Sequence, residues 1–362
     1  MERSRRTFLA WSGVAAAGAA LTAIGARVLT RGPSTAPTLP ADLTLPPATR
    51  SIPAGAPTSA PATAGFVSDG ISPLITPTRE FFRIDVADNA PRIDVDTWRL
   101  EVRGRVREPL TLTYEDLRAM PQVSAPVTLA CVSNRVDGGL IGTAIWQGVE
   151  LSTLLEAAGV EPGAGQIVGR SVDGFTAGFP TATLDDGRAA LVAIGMNGEP
   201  LPVDHGFPAR LIVAGLFGYV SATKWLSAIE LTDWEGFNGY WVPRGWSKEG
   251  PVVPSSRFDT PASSATVAAG DVTIGGVAWA PMVGVGAVEV RVDDGPWQRA
   301  ELGEDIGDAS WRQWRWTWNA TRGAHVITVR TIGRDGRVQD PTPRSPIPAG
   351  ATGLAERTIT VR

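Results

Sequence analysis

Large apolar side chains recur at every second position from Trp98 through Leu100 and Val102 to Val106, with charged residues between them, which is the period of a half-buried strand. Thr113 then precedes Tyr114-Glu115-Asp116-Leu117, and a threonine cap followed by acidic residues predicts a short helix. A second helical period, Val149, Leu151, Leu154 and Leu155, stops at Gly159. Residues 168–184 and 189–193 read as strands, and Asn197-Gly198 as a tight turn. Short helices among many strands predict an α+β domain. Past Pro261-Ala262-Ser263-Ser264 the pattern becomes a series of short alternating runs at 272–279, 287–292, 314–318, 325–331 and 357–361. Turn signals such as Asp293-Asp294-Gly295-Pro296 separate them, so this part reads as an all-β sandwich. Trp314, Trp316 and Trp318 share one strand face and are expected in a core or an interface.

The first 65 residues follow neither period. Ser4-Arg5-Arg6-Thr7-Phe8-Leu9 is followed by an uncharged stretch from Thr7 to Ala26, which resembles a twin-arginine export signal. The stretch is also long enough to remain as a membrane anchor. Either way the body is expected to be periplasmic or otherwise extracytoplasmic. Residues 33–65 are rich in Pro, Ala, Thr and Ser and read as an extended linker. The expected organisation is therefore a signal or anchor at 1–32, a linker at 33–65, a main folded domain at 66–262 and a sandwich at 263–362.

Composition narrows the chemistry. With 43% hydrophobic and 19% charged residues and a net charge of -4, the chain of 362 residues is globular and offers no basic face for nucleic acid. A single cysteine rules out an intramolecular disulfide, a cage of several thiolates and haem attachment through Cys-x-x-Cys-His. Two histidines, His205 and His325, rule out a multi-histidine metal site. Only two of the 33 basic residues are lysines, which draws attention to Lys224. Gly163-Ala164-Gly165 with Gly169 is read as a loop, because it follows a helix instead of opening one after a strand. No Gly-x-Ser-x-Gly elbow occurs, and Asp204 adjoins His205 too closely to orient it from a distance.

What remains is Cys131, placed by Thr128-Leu129-Ala130-Cys131 at the end of an apolar strand and followed by Val132-Ser133-Asn134-Arg135 and Asp137-Gly138-Gly139. A thiol there, beside a flexible loop and an arginine expected to lower its pKa, suits a single protein ligand to a soft or high-valent metal. One thiolate cannot hold a metal alone, so the other ligands would come with an organic cofactor. The loop resembles the cysteine loop of the sulfite oxidase family of molybdopterin enzymes. Ala144-Ile145-Trp146-Gln147-Gly148-Val149, the run from Met196 to Arg210, and Lys224-Trp225-Leu226 resemble the family's later motifs in the same order.

The resemblance implies a molybdenum-molybdopterin cofactor with Cys131 ligating the metal, and a sandwich like the family's immunoglobulin-like dimerisation domain. It implies that His205, Arg210, Thr223 and Lys224 grip the pterin and its phosphate, with Asn134, Phe82, Arg83 and Asp85 beside it. Arg83, Arg135 and Tyr240 are the candidates to meet substrate. Two departures stand out: Asp85 occupies a position where many relatives have histidine, and Val136 stands where sulfite-oxidising members carry arginine. The implied activity is oxygen-atom transfer to or from a small substrate, sulfite or a related oxyanion first and a sulfoxide such as methionine sulfoxide second. An external electron-transfer partner, such as a cytochrome, and a homodimer are expected with it. The rival from another class is a non-catalytic exported protein that keeps the fold for binding.

Overall fold

A computed structural model describes residues 39, 42–53, 56–58, 65–66 and 69–362, together with the backbone of 27–28. The signal or anchor expected at 1–32 lies outside the described side chains. Among the described residues no helix is long and apolar enough to cross a membrane.

The first domain packs two sheets around its main core. One sheet runs Glu199–Pro200, Ala190–Met196, Ile141–Glu150, Val123–Ala130 and Arg50–Ser51, with Arg210–Val213 also paired to Ala190–Met196. The other runs Leu110–Leu112, Leu100–Gly104, Leu226–Thr232, Gln166–Ser171 and Thr176–Pro180. Val123–Ala130 is buried at every position, as a strand covered on both faces must be, whereas Leu100–Gly104 alternates. The helix Tyr114–Ala119 carries the expected Thr113 cap as a full capping box with Asp116, and Leu151–Ala158 ends at Gly159 with a φ of 64°. The described α-helices are these two and Gly218–Ser221, so the described residues are mostly β.

Two expectations change. The linker is not a free tether throughout: Leu39, Leu43 and Leu45 pack on the main core, Arg50–Ser51 adds a parallel edge to Val123–Ala130, and Gln147 Nε2 donates to the Pro46 carbonyl at 2.6 Å. A few leucines spaced among prolines supply enough apolar area to dock a segment whose bulk composition is polar. Gly169, grouped with the loop at Gly163-Ala164-Gly165 but also within the strand expected at 168–184, lies inside the strand Gln166–Ser171.

The second domain is a sandwich of a four-stranded sheet, Ser255–Thr260, Gly270–Trp279, Arg312–Ala320 and Glu301–Leu302, on a five-stranded one. The latter runs Thr266–Val267, Ala355–Val361, Gly323–Gly333, Val285–Val292 and Gln298–Arg299. Trp314 and Trp318 are buried in its core and Trp316 packs partly against it. The sandwich begins at Ser255–Thr260, ahead of the expected residue 263, because that strand pairs with Gly270–Trp279. Val277, Trp279, Ile306 and Trp311 join the main core of the first domain, so the two domains share buried surface.

Candidate active site

The strand Val123–Ala130 delivers Cys131 at its end. Cys131 N–H donates to the Leu140 carbonyl at 2.9 Å, which closes residues 131–140 into a loop before Ile141–Glu150. Asn134 fastens that loop from within, its Oδ1 accepting from Leu140 N–H at 2.9 Å. A side chain at Gly138 would collide with that oxygen. The Cys131 Sγ lies 2.9 Å from Ser133 Oγ. Burial pushes the thiol's pKa up and the Ser133 hydrogen bonds oppose it. Arg135 is exposed and does not contribute, since its charge is spent on water, so the thiol is not acidified as the sequence suggested.

A second set of side chains converges from three segments: Thr78–Asp85, the 3-10 turn Val203–His205 running into Arg210–Val213, and the connection from Gly218–Ser221 to Leu226–Thr232. Backbone bonds clasp the last two: Trp225 N–H donates to the Gly206 carbonyl at 3.2 Å and Leu226 N–H to Ala209 at 2.9 Å. Gly206 makes the clasp possible. Its φ is 115°, and a Cβ there would sit 3.1 Å from Lys224 Cα.

Within the clasp, Lys224 Nζ pairs with Asp85 and donates to the Asp204 carbonyl at 3.0 Å. Arg83 pairs with Asp204 at 2.6 Å and with Asp85 at 3.3 Å. Arg210 donates to the His205 carbonyl at 2.9 Å, and its guanidinium lies 4.8 Å from the Trp146 ring. His205 Nε2 lies 3.1 Å from the Thr78 carbonyl, an acceptor only, so Nε2 carries the proton and Nδ1 a lone pair. Burial, then the charges of Lys224 and Arg210, lower the His205 pKa to about 3, so the ring is neutral at pH 7. Burial lowers Arg210 to about 10 and Lys224 to about 8, with Asp85 opposing both changes. Both remain cationic near neutrality.

The structure thus brings Arg83, Asp85, His205, Arg210 and Lys224 into one cluster, with Phe82 stacked at 5.2 Å on Phe81, whose edge meets His205. Tyr240 lies in a different group, against Phe175, Trp241 and Arg244. Val136 packs against the core of the sandwich. Sequence reasoning missed Asp204 as the partner of Arg83, and Trp225, whose Nε1–H donates to the Val203 carbonyl at 2.7 Å beneath Lys224. It also missed Gly169, where any side chain would strike Thr223 Oγ1. The Lys224-Trp225-Leu226 motif held the clue to Trp225, and the run from Met196 to Arg210 contains Asp204, but neither motif shows which distant residue its members pair with, and Gly169 was noticed only beside a glycine-rich loop.

Residues 87–241 match the model of the oxidoreductase molybdopterin binding domain, and residues 254–329 that of a bacterial Ig domain. The chain is 35% identical over 169 residues to the uncharacterized oxidoreductase YuiH of Bacillus subtilis, covering 46% of this chain and 80% of that protein. It belongs to the sulfite oxidase family. Human mitochondrial sulfite oxidase is 33% identical over 291 residues, 67% of this chain, which spans about half, 52%, of that longer protein. The sulfane dehydrogenase SoxCD of Paracoccus pantotrophus shares the fold, with a TM-score of 0.68 at 21% identity over 80% of this chain and 83% of that one. The chain is therefore an enzyme, a molybdopterin-dependent oxidoreductase.

The residues present fit that cofactor. Among the described residues no group of three or more His, Cys, Asp or Glu side chains is disposed to hold a metal by itself. Arg83 Nε, Arg210 Nε and Thr223 Oγ1 are buried without a protein partner, and buried donors of this kind call for an acceptor-rich guest. Three cations, Arg83, Arg210 and Lys224, outnumber the two carboxylates Asp85 and Asp204, which favours an anionic guest such as a phosphate-bearing pterin.

Proposed function

We propose that the enzyme transfers an oxygen atom to or from a small oxyanion, sulfite or a related sulfur or nitrogen species. Cys131 would ligate the metal, and His205, Arg210, Thr223 and Lys224 would hold the pterin and its phosphate. When bound, the cofactor supplies the two-electron redox chemistry of the transfer. The chain's own residues bind, orient and balance charge. Neutral His205 offers the Nδ1 lone pair to a ring N–H, Lys224 and Arg210 supply fixed positive charge, and the clasp at Gly206 holds both at set positions. The observation that carries the reading is the buried cationic cluster with its unpartnered donors, on the same domain as a thiol at a strand end.

One observation favours a second reading, a less charged substrate such as methionine sulfoxide. Arg83 is already committed to two carboxylates, and Val136, where relatives place a further arginine, packs on the sandwich. Steady-state kinetics of the molybdenum-loaded enzyme with sulfite, nitrate and methionine sulfoxide at two ionic strengths separate the two. Sulfite or nitrate turnover that weakens with salt supports the oxyanion, and turnover of the sulfoxide alone supports the alternative. Export through the twin-arginine route, with the chain either released to the periplasm or kept at the membrane by its N-terminal segment, belongs to the same proposal. So do electron exchange with an external partner such as a cytochrome and a homodimer formed through the sandwich. These rest on the Ser4–Leu9 motif and on family resemblance.

A further inference from the structure

The loop that carries Cys131 is held by more than its own domain. Asp137 sits at a φ of 60°, a conformation aspartate tolerates, and faces the sandwich with both carboxylate oxygens. Oδ1 accepts from the backbone N–H of Phe258 at 2.8 Å, and Oδ2 from Arg357 Nε at 3.2 Å. Phe258 lies in Ser255–Thr260 and Arg357 in Ala355–Val361, strands that belong to the two opposite sheets of the sandwich. Arg357 also donates to the carbonyls of Phe258, at 2.6 Å, and Pro261, and its guanidinium lies 5.3 Å from the Phe258 ring. The pair is largely shielded, with Arg357 11% and Asp137 23% exposed, so water screens it little.

Adjacent contacts repeat the arrangement. Val136 packs against the sandwich core. The strand that ends at Cys131 is pinned where Thr128 N–H donates to the Ala309 carbonyl at 3.0 Å and Trp311 N–H to Thr128 Oγ1 at 2.7 Å. Ser310 Oγ donates to the Pro126 carbonyl at 2.9 Å. A ligand must be held to within about 0.5 Å of its working position by groups that are themselves locked.

We propose that Asp137 and Arg357 are positioning residues through which the sandwich fixes the Cys131 loop, so that the second domain forms part of the thiolate's mount. The functional meaning rests on the reading of Cys131 as metal ligand; the restraint on the loop does not. Because Cys131 is the single cysteine of the chain, a maleimide reports on this loop alone. On cofactor-free, full-length protein at pH 7, Arg357→Ala and Asp137→Ala should be alkylated about tenfold faster than the parent, through more frequent opening of the loop. Arg357→Lys should lie between the parent and Arg357→Ala. The control Arg330→Ala breaks a pair with Glu289 inside one sandwich sheet and should match the parent. Losing the Arg357 cation cannot by itself speed thiolate chemistry, so acceleration in the Arg357 variants reports opening of the loop; losing the Asp137 carboxylate favours the thiolate, so the Asp137 variants are compared with the parent at equal thiolate fraction, read from the pH dependence of the rate.

Equal rates in parent and folded variants overturn the proposal. Should Arg357→Ala fail to fold, Arg357→Lys and Asp137→Asn give the same comparison, raised rates supporting the restraint and unchanged rates refuting it. The visible absorption of molybdenum-loaded Cys131→Ser from a cofactor-competent host tests the ligand reading separately, because a thiolate-to-metal charge-transfer band requires the sulfur. A spectrum identical to the parent's would refute that reading and leave the alkylation result intact.

Discussion

His205 is held neutral inside a folded chain that surrounds it with cations, and this makes a defined contribution to acid sensitivity. Its pKa is about 3 in the folded state, through burial first and Lys224 and Arg210 next. In an unfolded chain the same imidazole titrates at about 6.5. Between those values the unfolded chain binds a proton that the folded chain refuses, so stability falls as the pH drops below about 6.5 and keeps falling to about 3. At about 1.4 kcal/mol per unit, the change from pH 7 to pH 5 costs about 2 kcal/mol at this one residue. His205→Gln keeps an N–H near the Nε2 position, able to donate to the Thr78 carbonyl, but does not titrate. Urea unfolding of the cofactor-free protein and of the variant, each at pH 7 and pH 5, measures the difference. The parent should lose about 2 kcal/mol more than the variant between the two pH values. An equal loss in both would refute the neutral, buried histidine.

Three further outcomes follow from the geometry. Val136→Arg should lower stability by about 1–3 kcal/mol, since it forces a charge against the sandwich core, and should leave sulfite affinity unimproved; thermal melting and steady-state kinetics check both. Thr223→Val replaces a buried hydroxyl that has no protein partner, so melting of the cofactor-free protein should hold or rise slightly while molybdenum content after purification falls. Arg5→Lys combined with Arg6→Lys keeps the charge of the N-terminal segment, and fractionation should find the protein retained in the cytoplasm with its cofactor bound.

The sequence showed some features of this molecule clearly and hid others for identifiable reasons. The strand leading to Cys131, the cap at Thr113, the stop at Gly159 and the tight turn at Asn197-Gly198 depend on neighbours within a few residues, so local pattern was enough to find them. The alternating runs of the sandwich were visible for the same reason, although its first strand, Ser255–Thr260, went unseen ahead of the compositional break. Docking of residues 42–53 was obscured because a few leucines decide it against a background of proline and threonine. The identities of the cluster residues were legible through their motifs. Their mutual commitments were not, because whether Arg83 faces a substrate or two carboxylates depends on how Asp85 and Asp204 are brought together by segments far apart in the chain. Val136 teaches the same lesson: its place in the loop was evident, and the surface it packs on was not.

The contact between Asp137 and Arg357 joins residues 220 positions apart, about three quarters of the continuous described run 69–362. The hairpin around Cys131 uses only neighbouring strands, and such a unit closes within about 1–10 μs. Its anchor must wait until the first domain has collapsed and both sandwich sheets have paired, since long-range contacts form only after the entropy of closing the intervening chain has been met. The expected order of events therefore places pairing of the strands beside the thiol ahead of fixation of the loop. On that order the cysteine would reach its working position only after the sandwich has formed, and correct strands alone would still present a site not yet assembled.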